Sequence, residues 1–197
     1  MGFTPVRKYF LKTFLIIFAS CFFQVQAAFM FNVSTFYFTD SDNAGTTNFS
    51  YTRMNNNIFL GASMGKKEQF FFGVSYMMIT RSNSNGSDTD EVSTTEIGPT
   101  FLYYFNKDRN WYVSGGWLPF AKGDRTLTGV SEDIDGSGLH GAFGYQVKFS
   151  KHFYLGASIN YHSTSITESI DSANTKSDVS NSYSTIMPMF DLSIRFK

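Results

Sequence analysis

Residues 138–164 constrain the fold of this chain more than any other segment, because apolar and polar side chains alternate there on both sides of a short polar turn. One face carries Leu139, Phe143, Tyr145, Val147, Phe149, Phe153, Leu155, Ala157, Ile159 and Tyr161. The opposite face carries His140, Gly144, Gln146, Lys148, Tyr154, Gly156, Ser158, Asn160 and His162. Successive side chains of a strand point to opposite faces, so the segment is predicted to be a β-hairpin with one apolar and one polar surface. Folding it about residues 150–152 places Phe149 opposite Phe153 and, counting back, His140 opposite His162.

The N-terminus has the layout of a secretory signal peptide. Arg7, Lys8 and Lys12 precede an apolar run over residues 14–23, and Val25-Gln26-Ala27 offers a small-residue cleavage site. The run is shorter than the roughly 20 residues that a spanning helix needs. We predict a cleavable signal peptide over residues 1–27 and one mature domain over residues 28–197.

Cleavage would remove three of the 16 basic residues and none of the 16 acidic ones, which leaves a slightly acidic chain. A basic surface for nucleic acid is therefore not expected. The single cysteine, Cys21, lies within the predicted signal, so no disulfide is expected in the mature chain. Lipidation of Cys21 is the alternative, although Phe18 fits a lipoprotein site poorly.

Eight strands are predicted, because similar alternation recurs along the chain. Strands are expected at residues 29–39, 47–64, 70–82 and 93–105, from residue 111 onward, on both sides of the turn at 150–152, and in a last strand ending at Phe196. Short turns (65–69, 106–110, 150–152) alternate with longer polar loops (40–45, 83–92, 122–135, 168–180). The run 55–57, three asparagines, predicts a bulge or an early strand end. Pro99, Pro119 and Pro188 fall inside predicted strands, where each removes a ladder donor.

Glycine positions decide which face points inward. Six glycines of the strands lie on the polar face, where a solvated surface gives them no packing role: Gly61, Gly73, Gly98, Gly116, Gly144 and Gly156. In a narrow eight-stranded barrel they would instead make room for large polar neighbours. Aromatic residues make up 18% of the chain and charged residues 16%, and aromatics bracket both ends of the apolar face. We therefore predict an all-β, eight-stranded, antiparallel up-and-down transmembrane β-barrel. An aromatic-rich soluble β-sandwich and a lipocalin-like barrel are the alternatives.

On this pattern the chain resembles the small eight-stranded outer-membrane proteins of Gram-negative bacteria, the group that includes OmpX, OmpW and the transmembrane domain of OmpA. The resemblance implies a monomer in the bacterial outer membrane, among membrane lipids and lipopolysaccharide, with both termini periplasmic. The last strand is similar to the family's assembly signal, alternating apolar residues that end in an aromatic, which implies the barrel-assembly machinery as a partner. Here Lys197 follows that aromatic, Phe196.

The polar face is predicted to collect a cluster of ionisable side chains in the lumen: Arg81, Glu96, His140, Lys148, His162, Asp191 and Arg195. Buried charges must be paired or hydrogen-bonded, so a structural polar plug is the favoured interpretation and a gated path for small solutes the alternative. His140 and His162 would form a hydrogen-bonded pair. They are the candidate metal ligands, but they are fewer than ordinary zinc sites use, so no metal and no cofactor are expected.

An enzymatic function is not expected. Lipid A deacylases, which share this architecture, use a His-x-Ser pair on one strand face, whereas Thr164 stands at that position after His162 and Ser163 lies on the other face. The predicted external loops are acidic, which favours a structural or surface-interaction barrel with an extracellular ligand at the loops. The alternative, implied by the OmpW resemblance, is a narrow channel for small apolar molecules.

Overall fold

Eight antiparallel strands follow one another in chain order and close into a single barrel, which confirms the predicted fold class. The computed structural model describes residues 28–42, 48–65, 67–86 and 88–196. The strands are β1 (Phe29–Asp42), β2 (Phe49–Ser63), β3 (Phe70–Asn85), β4 (Asp88–Tyr104), β5 (Trp111–Leu127), β6 (Val130–Lys148), β7 (Phe153–Ile170) and β8 (Lys176–Phe196). The predicted signal peptide, residues 1–27, lies outside the described residues. Within the described ranges, no helix is long and apolar enough to cross a membrane.

The two faces of each strand separate as the alternation predicts. On β7, Leu155 and Ile159 are 44% and 61% exposed on the outer surface, whereas Tyr154 and Ser158 are both 5% exposed in the lumen. The β6–β7 register confirms the predicted hairpin, with Val147 opposite Leu155 and His140 opposite His162.

The start of β1 and the end of β8 lie at the end of the barrel that carries the short turns. Phe29, the first residue of β1, is opposite Phe196 of β8 and Ala62 of β2. Two of these turns use left-handed residues, Glu68 (φ 50°) and Arg109 (φ 57°), and their side chains form an ion pair that ties the turns together. The opposite end is formed by the four β-hairpins between β1–β2, β3–β4, β5–β6 and β7–β8.

The prediction of long polar loops at that opposite end is wrong. β5 and β6 pair through the predicted loop 122–135 as far as Leu127 and Val130. β7 and β8 likewise pair out to Ile170 and Lys176, and β3 and β4 to Asn85 and Asp88. Backbone ladders need no apolar side chains, so these polar extensions lack the alternation from which the strands were predicted. Polar cross-strand pairs support them, as where Arg125 forms an ion pair with Glu132.

The predicted interruption at the asparagines of β2 is also wrong. The register through residues 55–57 is unbroken against both β1 and β3. Asn55 and Asn57 are buried on the lumen side of β2. Asn56 lies on the outer side and accepts a hydrogen bond from the Thr35 hydroxyl (2.7 Å).

The prolines mark irregular positions in the ladders. Pro99 and Pro119 lie where the β4–β5 register shifts between Ile97 and Thr100. A bulge leaves residues out of the ladder, so a missing donor costs little there.

Pro188 has a different role, at the seam between the first and last strands. β1 pairs with β8 over seven residue pairs only, ending at Thr35 and Phe190, whereas both strands continue outward along their other neighbours. The Arg195 amide donates to the carbonyl of His152, which precedes β7. The backbone N–H groups of odd-numbered β8 residues therefore point toward β7, and those of even-numbered residues point toward β1. Pro188 is the next such residue after Phe190 and has no N–H to donate. The β1–β8 ladder therefore stops at Pro188.

Glycines create the space for specific lumen side chains, as predicted. A Cβ on Gly144 would lie 2.5 Å from the ring of Tyr112. One on Gly156 would lie 2.7 Å from Cγ of Gln146 and closer still to the backbone oxygen of Tyr145. Gly141, three residues earlier on β6 and on the outer face, has open space, with the nearest atom, the Ser114 carbonyl oxygen, 3.9 Å away.

These two glycines give a matched test of lumen packing. Gly144→Ala should lower the free energy of unfolding by about 1–3 kcal/mol, because the Tyr112 ring has to move from its packed position. Gly141→Ala should raise the free energy of unfolding by up to about 1 kcal/mol, because alanine loses less backbone entropy on folding than glycine and meets no close neighbour there. Urea titration of the refolded barrel, followed by the gel mobility of unheated samples, measures both. Equal effects of the two substitutions would show that the lumen does not need the space at residue 144.

Candidate functional site

The lumen is filled by both apolar and polar side chains. Met30, Phe59, Phe71 and Leu102 form a buried apolar cluster with the rings of Tyr104 and Tyr112. The polar side chains form three further clusters, and an outer cavity lies beyond them. The cluster nearest the short turns, the inner cluster, surrounds Arg195 of β8. Its guanidinium lies over the rings of Tyr104 (4.3 Å) and Tyr154 (3.7 Å). It donates to the Tyr104 hydroxyl (2.6 Å) and to Oε1 of Gln146 (3.0 Å). This buried cation is thus held by aromatic faces and neutral oxygens rather than by a carboxylate.

The middle cluster surrounds the carboxylate of Asp191, which is 3% exposed. The Tyr112 hydroxyl donates to Asp191 Oδ2 (2.6 Å), and the Ser158 hydroxyl donates to Oδ1 (3.1 Å). Asn160 Nδ2 in turn donates to Ser158 (2.8 Å). Hydrogen bonds to an ionised group are stronger than those between neutral groups, so this network stabilises the Asp191 carboxylate, which forms no ion pair within the described residues.

The Glu96 cluster lies further outward. Glu96 is fully buried, and its Oε2 lies 3.0 Å from Nε2 of His162. Its Oε1 accepts a hydrogen bond from the Thr164 hydroxyl (2.6 Å). Gly138 faces this carboxylate and leaves no room for a Cβ. Breaking one side of such a buried pair is strongly destabilising, because it leaves the other group uncompensated.

The hydrogen bond expected between the two histidines is not formed, although the rings lie on directly opposed residues. His140 Nε2 is 3.1 Å from the Thr100 hydroxyl, and His162 Nε2 bonds Glu96. Each imidazole instead has an oxygen partner on β4, which the sequence of a single hairpin cannot reveal. Among the described residues, no group of three or more His, Cys, Asp or Glu is arranged to hold a metal ion.

An outer cavity of about 340 Å³ lies beyond the Glu96 cluster. We call it the outer vestibule. His162 and Thr164 form its floor, and Arg53 and Arg81 line its wall. Below it the lumen is tightly packed where it touches Asn57, Thr100 and Asn160, since the void beside these residues has a volume of about 10 Å³.

The seven ionisable residues expected in the lumen are therefore dispersed along it. Arg195 and Asp191 lie in separate inner layers, Glu96 and His162 bond one another, and Arg81 lies in the outer vestibule. Lys148 is exposed at the last position of β6 and joins none of these clusters.

Sequence reasoning missed Arg53. The three asparagines that follow it were interpreted as a break, which removed Arg53 from the lumen-facing set. An unbroken period of two along β2 would have placed Arg53, Asn55 and Asn57 on one face.

Comparison with known proteins adds to this geometry. The model of the outer membrane protein β-barrel domain family matches residues 18–187. The chain belongs to this family. A structural match is Neisserial surface protein A, at 16% identity and a TM-score of 0.50, covering 86% of this chain and 97% of that chain. OmpT of Vibrio cholerae matches more weakly, at 12% identity and a TM-score of 0.31, over 88% of this chain and 53% of that chain. No curated protein matches the sequence.

Because the chain belongs to the outer-membrane barrel family, its exposed apolar face is the face that contacts lipid. An outer-membrane barrel meets lipid with a band of apolar side chains about 25 Å tall. Here that band includes Leu155, Ile159, Phe190 and Leu192 around the β7–β8 pair, all of them on the outer face. The protein is thus associated with the lipids of the bacterial outer membrane.

The lipid face gives a direct test of the membrane assignment. Leu155→Arg should lower the free energy of unfolding by about 2–4 kcal/mol, because it places a charge near the centre of the apolar band. Val130→Arg is the control, since Val130 is 67% exposed at the tip of the β5–β6 hairpin. It should change the free energy by less than about 0.5 kcal/mol. Refolding titrations into lipid vesicles measure both, and comparable losses would contradict the assignment of Leu155 to the lipid face.

Proposed function

We propose that this outer-membrane barrel does not conduct solutes and acts through surface interactions at its hairpin end. The observation that carries the proposal is the closed lumen. Hydrogen-bonded side chains from β4, β5, β6, β7 and β8 form the inner and middle clusters. The void between these clusters and the vestibule has a volume of about 10 Å³, which is no larger than one water molecule requires.

The hairpin end has the composition of an interaction surface. Most of the strand extensions are exposed, and they carry many acidic side chains: Asp40, Asp42, Asp88, Asp90, Glu91, Asp124, Glu132, Asp133, Asp135, Glu168, Asp171 and Asp178. Ladder pairing and ion pairs such as Lys176 with Glu168 hold these extensions in place. A rigid surface costs less ordering entropy on binding than mobile loops would.

The partner that fits this surface is a basic segment with apolar side chains. A cleft of about 480 Å³ lies between the β1–β2, β3–β4 and β5–β6 hairpins. Its rim is acidic and its walls are partly apolar, with Asp40, Asp42, Phe49, Tyr51, Asp88, Asp90 and Leu127 among the lining residues. Complementary charge would steer a basic partner to the cleft, and the aromatic walls would contribute to affinity.

In this proposal the hairpin end is extracellular and both termini are periplasmic, because outer-membrane barrels have short periplasmic turns and longer external connections. The last strand would then offer its alternating face to the barrel-assembly machinery. Lipopolysaccharide would surround the acidic hairpins, and the chain would act as a monomer.

No enzymatic role is part of the proposal. The Thr164 hydroxyl donates to Glu96 rather than to a ring nitrogen of His162, so the histidine–hydroxyl pair of the lipid A deacylases is not formed. Ser163, on the outer face, accepts a hydrogen bond from Ser184.

A narrow channel for small apolar molecules is the second candidate. One observation favours it, the separation of β1 from β8 beyond Thr35 and Phe190, which would let a molecule leave sideways. The lumen below that level is filled by packed apolar and hydrogen-bonded polar side chains, which favours the non-conducting barrel.

Conductance separates a plugged barrel from an open pore. In planar bilayers the wild-type barrel should give no discrete conductance steps, because the inner and middle clusters fill the lumen. Tyr104→Ala/Tyr112→Ala, which removes two buried rings 5.8 Å apart, should produce steps and serves as the positive control. Steps of equal size in both proteins would contradict the plug.

The cleft is tested with peptides of defined charge. A decapeptide of alternating lysine and phenylalanine should bind the purified barrel, and Asp40→Asn/Asp88→Asn should weaken binding by about tenfold, because it removes charges from the rim. Asp178→Asn, an exposed carboxylate of β8 that does not line the cleft, is the matched control. Phe49→Ser should weaken this peptide but not decalysine. Equal losses of peptide affinity in the rim variant and in Asp178→Asn would show that the peptide is held by general charge attraction and not by the cleft.

A further inference from the structure

Arg53 and Arg81 are directly opposed on the lumen face of β2 and β3. Opposed residues have Cβ atoms about 4.5–5.5 Å apart, and like charges at this spacing destabilise a sheet. Within the part of the chain that the structure describes, neither guanidinium is ion-paired with a carboxylate. Two adjacent positive charges are thus held together without a counter-charge in contact.

Aromatic rings position both guanidinium groups. Arg53 lies 3.7 Å from the centre of the Tyr51 ring, and Arg81 lies 5.3 Å from that of Tyr183. Arg53 also donates to the backbone carbonyls of Thr52 (2.8 Å) and Ser82 (3.4 Å) and to Oδ1 of Asn83 (3.4 Å), which leaves two of its five N–H groups. Stacking occupies the flat face of a guanidinium and leaves N–H groups at its edge available to an acceptor.

Both arginines line the outer vestibule, whose volume of about 340 Å³ is in the range of small-molecule sites. Most of the other lining side chains that face the lumen carry hydroxyls, namely those of Thr94, Thr164, Thr185 and the two tyrosines. Two acidic side chains lie near. Glu96 is engaged by His162 and Thr164, and Asp90 acts on Arg53 electrostatically without forming an ion pair.

We propose that the outer vestibule binds a phosphate group, with Arg53 and Arg81 as its receptors. The planar guanidinium fork matches the oxygens of a phosphate, and two adjacent cations match the two negative charges of a phosphomonoester better than the single charge of a carboxylate. The vestibule hydroxyls supply further hydrogen-bonding groups.

The phosphate can arrive in two ways, from solution or on a membrane lipid. Tyr183, Ser184 and Thr185 line the vestibule from the part of β8 that is not paired with β1, so the vestibule reaches the seam. The apolar outward side chains of β8 end at Ile186, beside this point. The seam therefore opens at the height of the outer head groups, where a lipid phosphate lies.

Calorimetric titration of the refolded barrel, in a phosphate-free nonionic detergent, tests the receptors. The probes are phenyl phosphate, which is soluble, and dihexanoyl phosphatidic acid, which presents the same group on a lipid. Arg53→Gln and Arg81→Gln should each weaken phenyl phosphate binding by about tenfold, because each removes one charged partner. Lys122→Gln, which removes an exposed positive charge outside the vestibule, should leave the affinity within about twofold.

The gel mobility of unheated samples confirms that each variant is folded before titration. Equal affinity for phenyl phosphate in the wild type and in Arg53→Gln/Arg81→Gln would overturn the proposal. Failure of both probes to bind the folded wild-type barrel saturably would also overturn it. This outcome is independent of the peptide and conductance measurements, since the site requires neither surface partners nor a closed lumen.

Pro188→Val distinguishes the two sources of phosphate. It restores an N–H that faces β1 beside Tyr37, and slower amide exchange at Tyr37 shows that the ladder has extended. If amide exchange at Tyr37 slows, the two probes can be compared. Weaker binding of phosphatidic acid, together with unchanged binding of phenyl phosphate, then supports a lipid that enters through the seam. Unchanged binding of both probes in that variant rejects the seam as the route and leaves soluble phosphate as the ligand.

Discussion

The whole structure depends on closing a ring of backbone hydrogen bonds. In hydrocarbon an unpaired N–H or C=O costs several kcal/mol, so a sheet can cross a membrane only when its first and last strands pair. Here the closure consists of seven residue pairs between β1 and β8, from Phe29 with Phe196 to Thr35 with Phe190. These pairs are lined on the outside by Phe31, Val33, Leu192 and Ile194, so the ladder closes the part of the apolar face nearest the short turns. Beyond Thr35 and Phe190 the two strands no longer pair, although the apolar outer face of β8 continues to Ile186.

Closing eight strands leaves a lumen that only side chains can fill, and this explains its chemistry. The outer face must be apolar, so the polar residues of every strand are forced inward. Charges that arrive there are compensated in three ways: Arg195 by two tyrosine rings, Asp191 by hydroxyl donors, and Glu96 by an imidazole and a threonine. Glycines at 138, 144 and 156 give up side-chain volume so that these groups fit. The plug and the lipid face thus follow from the same alternation.

Charge is also distributed unevenly along the barrel. Most of the exposed carboxylates lie at the hairpin end, whereas the short turns carry Lys67, Lys107, Arg109 and Lys151 beside Glu68 and Asp108. The outer vestibule interrupts this division, because Arg53 and Arg81 lie just inside the acidic rim. An anion would meet a repulsive rim on the way from solution and a shorter path through the seam, where Pro188 ends the ladder. A proline in the last strand therefore affects both the closure of the wall and access to its interior.

The sequence by itself determined the number of strands, their order, the short turns and the face that meets lipid. These depend on a period of two and on turn residues, which are local properties of the chain. It also determined the His140–His162 register, since a three-residue turn leaves little freedom in pairing. Only the tertiary structure decided which lumen groups meet. Glu96 and His162 lie 66 residues apart, and Tyr112 and Asp191 lie 79 apart, so barrel curvature and side-chain length select these partners. The length of the outer hairpins was likewise hidden, because a polar ladder outside the membrane is stabilised by backbone hydrogen bonds and leaves no hydrophobic pattern in the sequence.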